Sequence, residues 1–228
     1  MRIPLFSIAA TTYNHAGLVK NTLESVLKQT IQDFEIIIID GDSKDKTQEI
    51  ARNKGAKIII EKRKGYGRAY KTGMLKATGD VIVTGDGDAT YPFERIHEYI
   101  QILFDKDLDF ITTDRFAELG HGSMSTKHYL GNTILALTLR LLFSIKIRDS
   151  QSGMWIFKKS ALDKIQSLED FDDGMPFSEE IKIEMFKAKD IKAKEISSAL
   201  YAREGEVKLQ SFTDGWKNLK FLLFKWIR

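Results

Sequence analysis

Between residues 5 and 114 the chain switches repeatedly between two hydrophobic rhythms. Residues 5–11, 34–39, 57–61, 80–84 and 109–113 are short apolar runs bounded by turn-forming residues. Runs of that length read as strands buried on both faces. Between them, residues 15–28 put Leu18, Val19, Leu23, Val26 and Leu27 on one helical face. Further helices are predicted over the stretch ending at Lys54, with Asp42 or Ser43 as N-cap, and over 67–77 and 93–104. Strand–helix alternation demands crossover connections. The prediction is therefore an α/β fold: a Rossmann-like three-layer domain around a mostly parallel central sheet.

After Asp114 the rhythm breaks. A Gly/Ser-rich stretch at 120–123 precedes a predicted helix at 129–147, a short strand at 154–157, helices near 160–167 and 178–189, and a strand at 194–200. Residues 211–228 space Phe212, Trp216, Leu219, Leu223 and Trp226 as an amphipathic helix. No Pro/Gly/Ser-rich linker divides the chain. It is read as one domain over 1–210, with a nucleotide-binding half at 1–114 and an acceptor half at 115–210. Residues 211–228 then form a terminal membrane-interface or packing helix.

Composition narrows the chemistry. The 228 residues include no cysteine, which removes disulfides, zinc–thiolate sites and a thiol nucleophile. The four histidines never take the i, i+4 spacing of a helical metal site. Net charge is only +3, but Lys57, Lys62, Arg63, Lys64, Arg68, Lys71 and Lys76 stand against Glu61 alone. Such a cluster suits phosphates or an anionic surface. Acidic stretches at 105–114 and 169–184 interrupt any continuous basic track, so nucleic acid is not an expected partner. The greasy stretch at 130–147 carries Arg140 and Lys146 and is too polar for a membrane span.

In an open α/β sheet, ligands bind beyond the carboxyl ends of the strands. Here the first run ends in Thr11-Thr12-Tyr13-Asn14, the second in Asp40-Gly41-Asp42-Ser43 and the fourth in Asp86-Gly87-Asp88. Carboxylates at neighbouring strand ends suit a ribose, a hard cation such as Mg²⁺ or Mn²⁺ carrying a diphosphate, or both. An Asp at a strand end also serves simply as a turn former. Neither acidic loop fits an EF-hand, and no P-loop or dinucleotide fingerprint is present.

Thr12-Tyr13-Asn14, Ser25-Val26-Leu27-Lys28-Gln29, Asp42-Ser43, Asp45-Lys46-Thr47, Lys64-Gly65 and Ala77-Thr78-Gly79-Asp80 together resemble the family-2 glycosyltransferases of the GT-A fold. Asp86-Gly87-Asp88 is similar to that family's metal-binding Asp-x-Asp. Asp149-Ser150-Gln151-Ser152-Gly153 and the Arg203, Gly205, Lys208 spacing resemble the polyprenyl-phosphate branch, typified by dolichyl-phosphate mannose and glucose synthases. Met154 stands where processive polysaccharide synthases carry Arg after Gln-x-x, which argues against processivity.

The resemblance implies roles. Thr11, Tyr13, Asn14, Asp40 and Asp42 would line the nucleoside pocket, and Lys64 and Gly65 would close over it. Asp86 and Asp88 would hold Mg²⁺ or Mn²⁺ on the diphosphate. Arg115, Lys127 and Lys208 would meet the acceptor phosphate, with Asp88, Asp149 and Arg203 carrying the reaction. The implied partners are a nucleotide-sugar donor, GDP-mannose or UDP-glucose, and a polyprenyl or dolichyl phosphate at the cytoplasmic membrane face. Two alternatives remain: transfer to a saccharide or glycolipid hydroxyl, for which Asp149, Glu179 or Glu180 would be the base, and a weakly catalytic nucleotide-sugar-binding scaffold. The terminal helix would lie on the membrane, or pack on the core, a second copy or a membrane protein.

Overall fold

The computed structural model describes residues 5–120, 123–202 and 211–227. In chain order the strands are Phe6–Thr12 (β1), Phe34–Asp40 (β2), Lys57–Ile60 (β3), Val81–Asp86 (β4), Phe110–Leu119 (β5), Trp155–Lys158 (β6) and Ala193–Leu200 (β7). The helices are Ala16–Lys28 (α1), Thr47–Asn53 (α2), Tyr66–Lys76 (α3), Ile96–Asp105 (α4), Thr126–Phe143 (α5), Phe177–Lys187 (α6) and Ser211–Ile227 (α7). All seven strands form one sheet, ordered β3-β2-β1-β4-β6-β5-β7. Every pairing is parallel except the two made by β6, which runs against β4 and β5.

Alternation along the strands divides the core. Phe6, Ile8, Ala10, Ile36, Ile38, Val81 and Val83 pack under Val19, Leu23 and Val26 of α1, Ala51 of α2 and Ile100 and Leu103 of α4. Ala9, Ile37, Ile39, Ile82, Phe110 and Phe157 face the other way, against Tyr70 and Met74 of α3 and Phe177, Ile181 and Met185 of α6. This is the three-layer arrangement that the two rhythms predict. A smaller cluster joins Leu135, Leu139 and Phe143 of α5 to Ile183 of α6 and Leu222 of α7. Among the described residues, no helix is long and apolar enough to cross a membrane.

Four details differ from expectation. Asp42 and Ser43 do not cap α2, which starts at Thr47 with no side-chain cap; Ser43 is committed to Asp40 instead. Residues Lys159–Lys164 form a 3-10 segment rather than an α-helix. Helix α5 begins at Thr126 because Ser125 accepts from the His128 amide, and ends at Ser144, which is left-handed at φ 59°. Strand β5 runs on to Leu119, re-pairing with β7 after an irregularity between Asp114 and Glu118. The two expected halves interlock, since β6 of the second lies between β4 and β5 of the first.

Candidate active site

The carboxyl ends of β1, β2 and β4 lie side by side, with Thr11 in register with Asp86 and Thr12 with Asp40. Asp86 therefore leaves the sheet next to Thr11, whose hydroxyl donates to Asp86 Oδ1 at 3.3 Å; Tyr70 of α3 donates to the same oxygen at 2.9 Å. Two residues on, Asp88 is buried and its Oδ1 accepts from the Thr90 amide and hydroxyl, the latter at 2.6 Å. Between them, Ala89 takes a left-handed φ of 61° and its amide is held by Thr22 of α1 at 3.0 Å. A non-glycine residue in that region is strained, and such strain persists only where neighbours enforce it.

The loops after β1 and β2 are stitched together. The amides of Asn14, His15 and Ala16 donate to Ser43 Oγ, Thr47 Oγ1 and Asp45 Oδ2, while Asn14 Oδ1 accepts from the Lys44 amide. The start of α1 is thus capped by side chains of the other loop, satisfying amides that have no intrahelical partner. Asp40 is fully buried and accepts from the Ser43 amide and hydroxyl and from Gln48 Nε2. These bonds give Asp40 a role in shaping the loop after β2. Tyr13 is 47% exposed, with its ring over Gly41, and Asp42 points outward to Lys44.

Lys64 is exposed before α3. Gly65 sits at φ 142°, and a Cβ there would strike the Asp173 carbonyl. That close approach lets the carbonyls of Gly174 and Asp173 accept from the Gly67 and Arg68 amides, at 3.1 and 3.0 Å.

The second part of the site precedes β6. Because that strand is antiparallel, the residues before it arrive at the edge where β4 and β5 end. Thr84 of β4 clips the loop 149–153 down, donating to the Gly153 carbonyl and accepting from the Trp155 amide. Tyr91 accepts from the Gly153 amide at 2.7 Å. Asp149 is fully buried and grips Arg115 with both oxygens, Nε to Oδ2 at 2.5 Å and an Nη to Oδ1 at 2.9 Å. Burial alone would raise its carboxyl pKa; the Arg115 guanidinium overrides this and holds it below its ordinary value. With the Arg115 and Gln151 amides also donating to it, Asp149 is an anchor for Arg115. The geometry therefore does not support Asp149 as a general base. The phenol of Tyr91, pushed up to about 12 chiefly by burial, is lowered by Arg115 and raised by Asp86, so both charges stand close to it.

Helix α6 carries two buried ionisable groups here. Lys182 donates to the Ser150 and Ser152 carbonyls at 2.6 and 2.8 Å and to Ser178 Oγ at 3.3 Å. Burial pushes its pKa down to about 7, yet three acceptors call for all three ammonium protons. Glu179 accepts from Gln151 Nε2 through Oε1, while its Oε2 is buried without a partner, and burial pushes it up to about 8.

The structure thus brings Thr11, Asp86, Asp88, Arg115 and Asp149 to one edge, beside the Asn14, Asp40 and Asp42 loops. Lys127 is exposed on the first turn of α5. Arg203 and Lys208 lie outside the described residues. Sequence reasoning missed Tyr70, Tyr91 and Lys182. For Lys182 a signal existed, since it lies three residues beyond Glu179 on a predicted helix among apolar neighbours.

Two carboxylates two residues apart offer hard oxygen donors at the end of a central strand, and the described residues contain no cluster of three or more His, Cys, Asp or Glu able to hold a metal. A pair of carboxylates that leaves further positions to phosphate oxygens and water is how Mg²⁺ is commonly held, so this donor set fits such an ion.

A mostly parallel sheet of this order, with acidic residues at the end of β4, defines a three-layer α/β domain with its candidate ligand edge there. The model of "Glycosyl transferase family 2" matches residues 7–166, and the chain belongs to that family. It is 33% identical over 225 residues to the low-salt glycan biosynthesis hexosyltransferase Agl6 of Haloferax volcanii, covering 96% of this chain but 53% of that protein. It is 28% identical over 209 residues to a dolichyl-phosphate hexose transferase of the same organism, covering 92% of this chain and 88% of that one. Among solved structures, glucosyl-3-phosphoglycerate synthase from Mycobacterium tuberculosis, in complex with Mn²⁺, UDP and glucosyl-3-phosphoglycerate, superposes with a TM-score of 0.78 at 16% identity, over 97% of this chain and 80% of that one. The fold is GT-A-like.

Proposed function

We propose that the chain is a metal-dependent, inverting glycosyltransferase that moves a hexose from a nucleotide sugar, GDP-mannose or UDP-glucose, to a polyprenyl or dolichyl phosphate. The observation that carries this reading is that Asp86 and Asp88 share one sheet edge with a half-buried cation, Arg115, held by the buried Asp149. Bound there, Mg²⁺ or Mn²⁺ supplies Lewis-acid stabilisation of the departing diphosphate. Thr11 and Tyr70 fix the Asp86 carboxylate, and Asp149 fixes Arg115 towards an anionic acceptor. A phosphate monoester, with a second pKa of about 6, is already a nucleophile at neutral pH and needs positioning more than a base. An Asp149 fully spent on Arg115 suits that acceptor.

The membrane reading draws on two apolar stripes. Leu130, Ile134, Leu137 and Leu141 are exposed along α5, and Trp216, Leu223, Phe224, Trp226 and Ile227 along α7. Such faces suit the interface of an anionic bilayer on its cytoplasmic side, with Lys217 and Lys220 meeting headgroups. Phe221 and Lys225 of the same helix turn inward: Phe221 packs against the cluster of Leu139, Phe143 and Ile183, and Lys225 pairs with Glu180 and Glu184.

A second reading, transfer to a hydroxyl, is favoured by one feature: Glu179 has an unpartnered oxygen and a pKa near the working range of a base. Incubation with radiolabelled GDP-mannose and UDP-glucose, Mn²⁺ and a polyprenyl phosphate tests the main reading. Label in the lipid that disappears with EDTA supports it; label only in a saccharide acceptor added alongside the lipid supports the second.

A further inference from the structure

Helix α7 does more than cover apolar surface. Its inward face is formed by Asn218, Leu222 and Lys225, flanked by Leu219 and Phe221, and Asn218 is only 2% exposed. Asn218 Nδ2 donates to Gln151 Oε1 at 2.9 Å. The Gln151 amide group donates in turn to Glu179 Oε1 at 2.9 Å and to Ser150 Oγ at 3.3 Å. The Gln151 backbone amide donates to Asp149 Oδ1 at 3.0 Å, the same oxygen that receives an Arg115 Nη. Seven residues along the helix, Lys225 bridges Glu180 and Glu184 at 3.0 and 2.9 Å. Glu180 directly follows Glu179, so α7 reaches α6 directly at Lys225 and through Gln151 at Asn218, two points about 10 Å apart along α7.

This seat is costly. It leaves Asn218 Oδ1 and Glu179 Oε2 buried without partners, on either side of the same Gln151 side chain. An apolar residue at 218 would spare one of these orphans. A polar link kept at that cost fixes geometry, and what it fixes is the loop that aims Arg115.

We propose that Asn218 is a positioning residue for the reaction: through Gln151 it sets the loop 149–153, so that Arg115 is aimed only when α7 is seated. This rests on the proposed transfer to a lipid phosphate. The link makes the terminal helix part of the acceptor site without touching substrate.

The test uses the full chain carrying Asn218→Leu, with Asn218→Ser as the milder second variant. Two readouts are taken. Amide hydrogen exchange should quicken at Gln151 and Gly153 and stay unchanged in β1 and β4. Turnover with polyprenyl phosphate should fall about tenfold while UDP or GDP affinity in Mn²⁺ stays within about twofold, as a mispositioned group costs rate rather than donor binding. Exchange at 149–153 that matches wild type in both variants overturns the proposal, as does equal loss of nucleotide affinity and turnover. If the unsubstituted chain transfers no hexose to lipid phosphate, the functional reading fails; the exchange result still decides whether Asn218 positions the loop.

Discussion

The two sides of the site are built by opposite means. On the β4 side, Asp86 ends the strand and Asp88 lies two residues on, and Thr11, Tyr70 and Thr90 hold them. On the β6 side, Arg115 of β5, Asp149 before β6 and Glu179 and Lys182 of α6 come from distant stretches, with Asp149, Glu179 and Lys182 buried around the half-buried Arg115. The β4 side sets its carboxylates at the strand edge, whereas the β6 side encloses most of its charge around Arg115. Damage to the first should therefore appear in chemistry, and damage to the second in stability and aim.

The contrast is sharpest for Asp88→Ala. Its transfer rate should fall by about 10³-fold or more, equivalent to about 4 kcal/mol, with the fold intact by circular dichroism. A variant keeping a tenth of the wild-type rate would mean that Asp88 holds no essential group. On the β6 side, Asp149→Ala leaves the largely enclosed Arg115 guanidinium without its carboxylate, a change that costs about 3 kcal/mol, the lower end for buried pairs. Urea unfolding should record that loss as a lower midpoint at unchanged slope. A loss below about 1 kcal/mol would erase the distinction between the two sides.

The next effect concerns pH. Glu179 binds its proton more tightly in the folded chain, near pH 8, than at its ordinary 4.5. Its contribution to stability is full below pH 4.5, declines as pH rises through this window and is gone above about 8. Relative to Glu179→Gln, the wild-type melting temperature should drop by about 5 °C between pH 5 and 8. Parallel curves would mean that Glu179 is ionised throughout. Smallest is Ala89→Gly, which releases a left-handed backbone. It should change stability by no more than about 1 kcal/mol in either direction, strain relief opposing the added freedom of the unfolded chain. Calorimetry checks this, and a larger loss would show that the methyl group itself is needed.

The same contrast explains what could be read from the sequence. Parallel strands place the residues that follow them at the ligand edge, so Thr11, Asp86 and Asp88 could be located from the apolar runs alone. Strand β6 is inverted and places the residues that precede it there. No spacing in the sequence announces that reversal, so the pairing of Asp149 with Arg115 is not legible there. Asp40 illustrates another limit. Its position at a strand end was legible, but whether a carboxylate faces a ligand or its own loop depends on Ser43 and Gln48 folding back onto it. Of the stripe expected on α7, Trp216, Leu223 and Trp226 face outward while Leu219 packs inward, and the Phe212 side chain lies outside the described ones. The inward stripe, with Asn218 and Lys225, is polar enough to look like surface.

The place of β6 also bears on how the chain assembles as it is made. β4 and β5 leave the ribosome first, but the four-residue strand that joins them arrives only with Trp155–Lys158. Until then β1–β4 form a partial sheet whose last strand has a bare edge, and β5 has no neighbour to join. Bare edges recruit the wrong strand, including one from another chain. Closure therefore waits for a late, sequence-distant pairing of the kind that folds slowly. A ribosome pause before residue 155 would lengthen the interval in which β4 is open to misassembly.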